Sequence, residues 1–559
     1  MARSASAKSG ADAVNWQAIW GERAHFVIFD AAYGDGAAFQ QTLHAWRNDP
    51  RRPARLHYIA LANEALPGFR RIPQVEDAVT LDLLTAPLDS ALEQLSARLD
   101  AIWLRGAADA GTRFAHALGK LAEPGALLDA DGLTHAQMAT LARAGFAWEP
   151  GVQRAVFASR RPQAAPAPPR ARHAIVIGAG LAGAAACERL CARGWKVTLI
   201  ERHAQPAREA SGNLAGITMP LLSKDDNLMT RLSRAAFLYA QAYWDRIGGN
   251  AIDSARCGVL QLARDPAHAD VQRAIAASRA WPADFAEWLE APAAGELLGA
   301  PAPDGAWLFR QGGWVRPASA CGAMLTACGD ALVRRFGAGK VTLEQRGAGW
   351  CAIDVAGEVL AQAPVVVLAN GTGAADMPLA AGLPLSPVRG QVTHLAQGAA
   401  PALPFVLCRE AYLTPAVGGW HSLGASYDED ADPALRQDSQ DENLAKIRAM
   451  LGDPALGRAA PLQGRVGFRC VAPDRMPLAG ALPDPDAAGR IERLRDVPRH
   501  AGVYGLLGYA SRGLTWAPLA AELLAAQLNG EPLPLEADLV AALDPARFLL
   551  RERRRGEVG

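Results

Sequence analysis

The sequence predicts an α/β protein made of two doubly wound units, and three observations predict it. From His173 to Glu201 the order is strand, glycine-rich turn, helix, strand, acid. From Trp16 to Phe157 short apolar runs alternate with helical stretches. Between them SRRPQAAPAPPRAR, Ser159 to Arg172, is rich in Pro and Ala and reads as a linker. The expected divisions are a disordered lead-in over 1–15, a first domain over 16–158, the linker over 159–172 and a second domain over 173–559.

In the first domain His25 to Phe29 is a strand, followed by the turn Ala31-Ala32-Tyr33-Gly34-Asp35-Gly36. Phe39 to Arg47 is a helix and Leu56 to Leu61 the next strand. Ala101 to Leu104, Ala115 to Leu121 and Ala126 to Leu128 continue as strand, helix and strand.

In the second, Ala174 to Ile177 is a short apolar run of the kind that forms a buried parallel strand. Gly178, Gly180 and Gly183 follow in G-x-G-x-x-G spacing. The first permits a tight turn, the second lets a pyrophosphate approach the backbone, and the third lets helix pack on strand. Ala184 to Arg193 is the helix, whose N-terminus offers free N–H groups to phosphates. Lys196 to Ile200 is the next strand, and Glu201 ends it, about 20 residues past the glycines, where a ribose diol accepts an acidic partner. The motif alone does not separate FAD from NAD.

Further on, Ser211 and Gly212 in REASGN (Arg208 to Asn213) suit a loop over a flavin or pyrophosphate. Phe237 to Ile247 is an amphipathic helix, and Gly312 to Pro317 leads into another from Ser319. Pro364 to Asn370 is an apolar strand ending in Gly371-Thr372-Gly373, a second strand-to-glycine turn. Pro518 to Leu528 is a closing helix.

Composition narrows the function classes. At 559 residues the chain exceeds one hydrophobic core. Half the residues are hydrophobic and 20% are charged, as in soluble proteins. Lys+Arg and Asp+Glu both number 57, so nucleic acid would have to be met by local basic patches. The eight cysteines are scattered without metal-ligand spacing, which implies reduced thiols in a cytoplasmic protein and no metal. The N-terminal residues lack a signal peptide's apolar core, and no apolar run is long enough to span a membrane.

Five stretches make the family specific: ASGN with PLLSKDDN, SPVRGQV, GFRCVAPDRMPLAG, GYASRGLTWAPLAAELLA and LDPARFLLRERRRG. Over about 170–556 the chain resembles the FAD-dependent D-amino-acid oxidase and glycine oxidase superfamily. Within it, the chain is similar to the bifunctional tRNA 5-methylaminomethyl-2-thiouridine biosynthesis proteins of the MnmC type. The resemblance implies an FAD-binding Rossmann domain (parts about 173–225, 360–390 and 500–530) with an inserted α+β substrate domain. It also implies a Rossmann-like methyltransferase-type N-terminal domain.

By the same resemblance, Gly178, Gly180, Gly183 and Glu201 match the ADP-binding positions of FAD, and Ser211, Gly212 and Asn213 the loop approaching the flavin. Gly371 belongs to the second glycine turn, and Gly508, Ser511, Arg512, Gly513 and Leu514 match the C-terminal flavin-contacting motif. The implied reaction acts on a tRNA wobble uridine carrying a carboxymethylaminomethyl group. A flavin takes hydride from the carbon between nitrogen and carboxylate, and hydrolysis leaves an aminomethyl group. The substrate carboxylate calls for an arginine fork. Arg469 is the first candidate, Arg316 and Arg389 the next, and Tyr412 adds a hydrogen bond.

The first domain departs from the family. Tyr33-Gly34-Asp35-Gly36 keeps part of the nucleoside-binding turn. The acid expected for the S-adenosyl-L-methionine (AdoMet) ribose is Ala62, with Glu64 two residues on as an alternative. The acid expected beside the transferred methyl is Arg105, in Trp103-Leu104-Arg105-Gly106. Methylation is therefore disfavoured. Arg51-Arg52, Arg70-Arg71, Arg160-Arg161 with Arg170 and Arg172, and Arg551 with Arg553 to Arg555 are the candidate phosphate clamps for tRNA. A free amino-acid oxidase and a non-enzymatic tRNA-binding scaffold are the competing readings.

Overall fold

The computed structural model describes residues 19–21, 23–76, 78–105, 112–159, 171–249, 251–458, 460–487 and 491–556. The lead-in, most of the linker and Gly106 lie outside them. The chain divides into two compact units, Met1–Ala164 and Ala165–Gly559.

Apolar β-strand formers along the first unit build β1 (His25–Asp30), β2 (Arg55–Leu61), β3 (Gly68–Glu76), β4 (Val79–Thr85), β5 (Leu99–Leu104), β6 (Ala122–Ala130), β7 (Phe146–Trp148) and β8 (Arg154–Phe157). They form one sheet in the order β3-β4-β2-β1-β5-β6-β8-β7. β4, β2, β1, β5 and β6 run parallel, β3 and β8 run against them, and β7 pairs antiparallel with β8. Phe26 and Ile28 pack into one core, Val27 and Phe29 into another, so both faces of β1 are covered. The expected strands and helices are present, each a residue or more longer than its apolar run. β3, β4 and the β7–β8 hairpin were not foreseen.

The second unit is organised on β9 (His173–Ile177), paired in parallel with β10 (Lys196–Glu201) and β11 (Val365–Leu368). β12 (Arg499–Leu507) extends the sheet beside β11. The third glycine of the motif packs α1 (Leu181–Cys191) onto β9: a Cβ at Gly183 would overlap the Gly178 carbonyl oxygen. The amphipathic stretch from Phe237 is the second half of a longer helix, Leu228–Gly248, capped by the Asn227 side chain.

The closing helix α2 (Gly513–Asn529) starts earlier than the sequence suggests and carries Pro518 inside it. Proline lacks an N–H and belongs by preference in a first turn. Here burial decides: Leu514, Trp516, Ala517, Leu519, Ala521, Leu523 and Leu524 all join the core that also holds Ala184, Cys187 and Leu190 of α1. The two helices are tied by buried charge. Arg193 bridges Glu522 at 2.7 Å and Glu531 at 2.8 Å.

A second, eight-stranded sheet carries β13 (Ser386–Ala396) and β14 (Leu462–Val471), paired antiparallel along their length. SPVRGQV is therefore a strand, with Val388 opposite Arg469 and Gly390 opposite Gly467.

Candidate active site

A cavity of about 830 Å³ lies in the second unit, where β9, β10 and β11 end and α1 and α2 begin, with one wall from β13 and β14. Ligand sites in α/β sheets form at such carboxyl ends. Gly178, Gly180, Glu201, Ser211, Asn213, Gly371, Gly508, Ser511, Arg512, Gly513 and Leu514 line it, while Gly183 and Gly212 do not. Gly178 has φ 100°, and a Cβ there would come within 2.8 Å of the Ala369 carbonyl oxygen. Both constraints demand glycine.

The dinucleotide end is built on backbone donors. Gly180 caps α1 without a side chain, and the Ser211 hydroxyl accepts from the Leu181 N–H at 3.1 Å. Glu201 is buried and accepts from the N–H groups of Ala179 (2.7 Å) and His203 (2.9 Å). Carboxylate oxygens hold further acceptor sites beyond these two. Lys340 and Val341 complete this end and were not foreseen. Arg465, also missed, donates to the carbonyls of Arg208 and Glu209 and to Asn213 Oδ1, and so pins the REASGN loop.

The chemistry of the lining fits FAD. The N-terminus of α2 meets the same cavity as that of α1, and Arg512 at its cap makes no side-chain cap. Two helix N-termini on one cavity suit a pyrophosphate and a ring that gains negative charge on reduction. Two buried polar atoms of lining residues, Tyr509 Oη and Asn370 Oδ1, have no hydrogen-bond partner among the described residues. Such atoms call for a ligand's polar groups.

At the other end Arg469 and Tyr412 line the cavity together. The Arg469 guanidinium donates to the carbonyl oxygens of Arg389 (3.1 Å) and Ser426 (3.2 Å). It lies against Gly390, where a Cβ would overlap all three of its outermost atoms. No carboxylate lies within ion-pairing distance of it among the described residues. Burial pulls its pKa down, with the nearby Tyr412 opposing. Burial pushes the Tyr412 phenol up to about 12, so it stays a hydrogen-bond donor at neutral pH. Arg512 is a second such cation: burial pulls it down to about 10, and only the Cys408 thiol acts against this.

Arg389 and Arg316 are elsewhere. Arg389 is fully buried and saturated by Asp428 Oδ2 (2.8 Å), Gln391 Oε1 (3.0 Å) and the carbonyls of Asp432 and Ala434. Arg316 is 43% exposed beside Asp253 at 3.5 Å. Neither lines the cavity.

In the first unit the carboxyl ends of β1, β2 and β5 bring Asp30, Ala62 and Arg105 to the edge where a nucleoside would bind. Glu64 pairs with Arg70 at 2.9 Å. Arg105 lies over the Trp103 ring at 5.4 Å and near Asp129 at 3.6 Å. Asp30 is buried, accepts from the Tyr58 hydroxyl at 2.6 Å and has its pKa raised by burial. The Tyr33 hydroxyl folds over Gly36, 2.9 Å from where a Cβ would stand.

Of the basic clusters, Arg71 is buried in a bidentate pair with Asp82 at 2.8 and 2.7 Å and is no phosphate clamp. Arg52 stacks on Trp46 at 4.4 Å and Arg551 approaches Asp474 at 3.3 Å. Arg160, Arg161 and Arg170 lie outside the described residues, as does the side chain of Arg555. No helix among the described residues is long and apolar enough to cross a membrane.

The family model for FAD-dependent oxidoreductases matches residues 173–527. The tRNA 5-methylaminomethyl-2-thiouridine biosynthesis bifunctional protein MnmC of Azoarcus sp. (strain BH72) is 41% identical over 588 residues, spanning 96% of this chain and 92% of its own. Its counterpart in Burkholderia thailandensis is 41% identical over 608 residues, with the same two coverages of 96% and 92%. Among solved structures, glycine oxidase from Geobacillus kaustophilus superposes with a TM-score of 0.56 at 20% identity, covering 67% of this chain and 99% of its own. Iminodiacetate oxidase from Chelativorans sp. BNC1 gives 0.53 at 23% identity, covering 64% and 96%. These last two are likenesses of fold.

Proposed function

The chain belongs to the family of bifunctional tRNA 5-methylaminomethyl-2-thiouridine biosynthesis proteins, its second unit being an FAD-dependent oxidoreductase, and from this we propose how it works on the tRNA wobble uridine. It is an FAD-dependent enzyme that removes the carboxymethyl group of 5-carboxymethylaminomethyl-(2-thio)uridine by oxidation. Bound in the cavity, FAD supplies a hydride acceptor for the carbon between nitrogen and carboxylate. Gly178, Gly180 and Glu201 hold its ADP part, the α2 N-terminus faces its ring, and Arg469 with Tyr412 grips the substrate carboxylate. The imine left on the substrate then hydrolyses to glyoxylate and 5-aminomethyl-(2-thio)uridine.

One observation carries the reading. Arg469, with no carboxylate partner among the described residues, shares a cavity with two helix N-termini. A half-buried guanidinium that donates to carbonyls and pairs with no carboxylate among the described residues is set to receive one. The test is anaerobic mixing of the yellow protein with tRNA carrying the carboxymethylaminomethyl nucleoside. The flavin should bleach, and mass spectrometry should find the aminomethyl nucleoside. Bleaching by glycine or sarcosine with no response to tRNA would favour a free amino-acid oxidase.

The first unit (16–158), joined by the linker 159–172 to the oxidoreductase domain 173–559, is a methyltransferase-type domain that no longer methylates. Ala62 supports this, since it offers no acceptor to a ribose, and so does Arg105, which brings positive charge to the edge where a sulfonium would sit. The exposed arginines Arg51 and Arg52 remain as tRNA contacts, and the protein works in the cytoplasm, where its substrate is.

A further inference from the structure

Tyr427 stands against Arg469, which lines the cavity, and has no part in the reaction so far. It is 55% exposed, the only aromatic among the large exposed apolar side chains of the described residues. One side of its ring is covered by Arg469, whose guanidinium carbon lies 4.9 Å from the ring centroid. Ala425, two positions earlier, lines the cavity.

The ring is exposed on a backbone that is held. The Ser426 N–H donates to the Gln391 carbonyl at 3.1 Å. Asp428 and Arg389 exchange both backbone hydrogen bonds, at 2.8 and 3.1 Å. The Ser426 hydroxyl donates to Asp428 Oδ2 at 2.8 Å, which also accepts from the buried Arg389 guanidinium. Farther along, Arg436 holds Asp430 and Asp432 at 2.8 and 2.9 Å. Both neighbours of Tyr427 are thus fixed to β13 while its outer face meets solvent. Solvation alone does not call for an aromatic ring on so rigid a mount. A planar ligand does, because a pre-ordered ring loses little entropy on stacking.

We propose that Tyr427 is the stacking platform for the target base, and so the residue that selects a nucleoside over a small free amine. The proposal rests on the functional reading above. The span agrees with it. A carboxylate hydrogen-bonded to Arg469 at about 3 Å, followed by four extended bonds to the uracil ring of about 5 Å in all, places that ring about 8 Å from the guanidinium. The centroid of the Tyr427 ring lies 4.9 Å from the guanidinium carbon, inside that reach. The base then stacks on the exposed part of that ring while the substrate's side arm enters the cavity. Bases read out of a helix are commonly held this way.

The test uses the full-length, FAD-loaded protein and a synthetic anticodon stem-loop bearing 5-carboxymethylaminomethyluridine. Anaerobic flavin reduction gives an apparent dissociation constant and a limiting rate. Tyr427→Ala and Tyr427→Leu should both raise the constant about tenfold, in line with what base–aromatic stacking contributes, with the limiting rate within about twofold. Tyr427→Phe and Tyr427→Trp should stay within about threefold of the wild type, since each keeps a ring. The leucine variant matters because it still covers Arg469. If it binds like the wild type, or if phenylalanine binds as weakly as alanine, the platform is refuted while the oxidase reading stands. A wild-type flavin that the stem-loop does not reduce at all refutes the oxidase reading itself.

Discussion

The guanidinium of Arg469 occupies the space above Gly390 that the Cβ of any other residue would fill. The glycine belongs to β13 and the arginine to β14, with Gly390 facing Gly467 across the pair. Gly390→Ala should push the guanidinium off its place while leaving FAD bound. We expect at least a tenfold loss of anaerobic reduction rate at low substrate, as displaced catalytic groups typically show. An alanine variant that keeps the wild-type rate would mean that Arg469 is not held where the reaction needs it.

Arg469 itself should matter more. Arg469→Ala should weaken transition-state binding by about 2–5 kcal/mol, the scale for truncating one partner of a buried charge pair. Lysine should restore only part, because it lacks the planar fork. Rapid-mixing flavin reduction measures both. An unchanged rate in the alanine variant would move the carboxylate to Arg512, another lining cation without a carboxylate partner among the described residues.

At the opposite end of the cavity, Gly180→Val should give colourless protein. The nearest atom to a Cβ at Gly180 is the Ser211 hydroxyl at 3.1 Å, so the apo fold should tolerate the change. A bound pyrophosphate would not. Circular dichroism should show intact secondary structure beside lost flavin absorbance, and stoichiometric FAD in the variant would contradict the assignment.

The first unit should not bind AdoMet. A missing charge-assisted hydrogen bond costs about 1.5–3 kcal/mol. Arg105 near a sulfonium adds repulsion of about 1–4 kcal/mol at 4 Å, depending on screening. Titration calorimetry should register no binding in the micromolar range, and excess AdoMet should not carry the aminomethyl nucleoside further. Appearance of the methylaminomethyl nucleoside would place the ribose acid at Glu64, released from Arg70.

Asp100 sets a pH dependence in the same unit. Burial pushes its carboxyl from the usual 3.8 up to about 6, opposed by the Val27 N–H and by Arg23. The folded state binds this proton more tightly than the unfolded chain. Its stabilising contribution is therefore complete below about pH 4 and is lost as pH rises through 6, on the order of 3 kcal/mol in all. Asp100→Asn should flatten that loss. Hydrogen exchange in β1 and β5, followed from pH 4 to 7 in both proteins, reads it directly, and equal slopes would exclude Asp100 as the cause.

Much of this was legible in the chain because local rules govern it. The strand, glycines, helix and acid around Gly178 are each set by residues within a few positions. Which arginine grips a carboxylate was not legible in that way. Arg389 and Arg469 sit on facing strands far apart in sequence, and only their register sends one into a buried pair with Asp428 and the other to the cavity. Pro518 misled for a related reason: it reads as a helix start, but burial of α2 on nearly every side outweighs a proline's preference. Arg71 read as a surface cation until β4 supplied Asp82.

The cavity wall begins at Ile177 and ends at Thr515. A ribosome makes the first of these residues long before the last. The glycine turn, the second glycine strand and the start of α2 cannot close on one another until nearly the whole polypeptide has emerged. A growing chain thus holds a half-built cradle with no floor for the flavin ring, while the first unit is already free to fold. Cofactor capture is consequently among the last events in this protein's biogenesis. A product cut short before α2 should be colourless, however well its opening motif has formed.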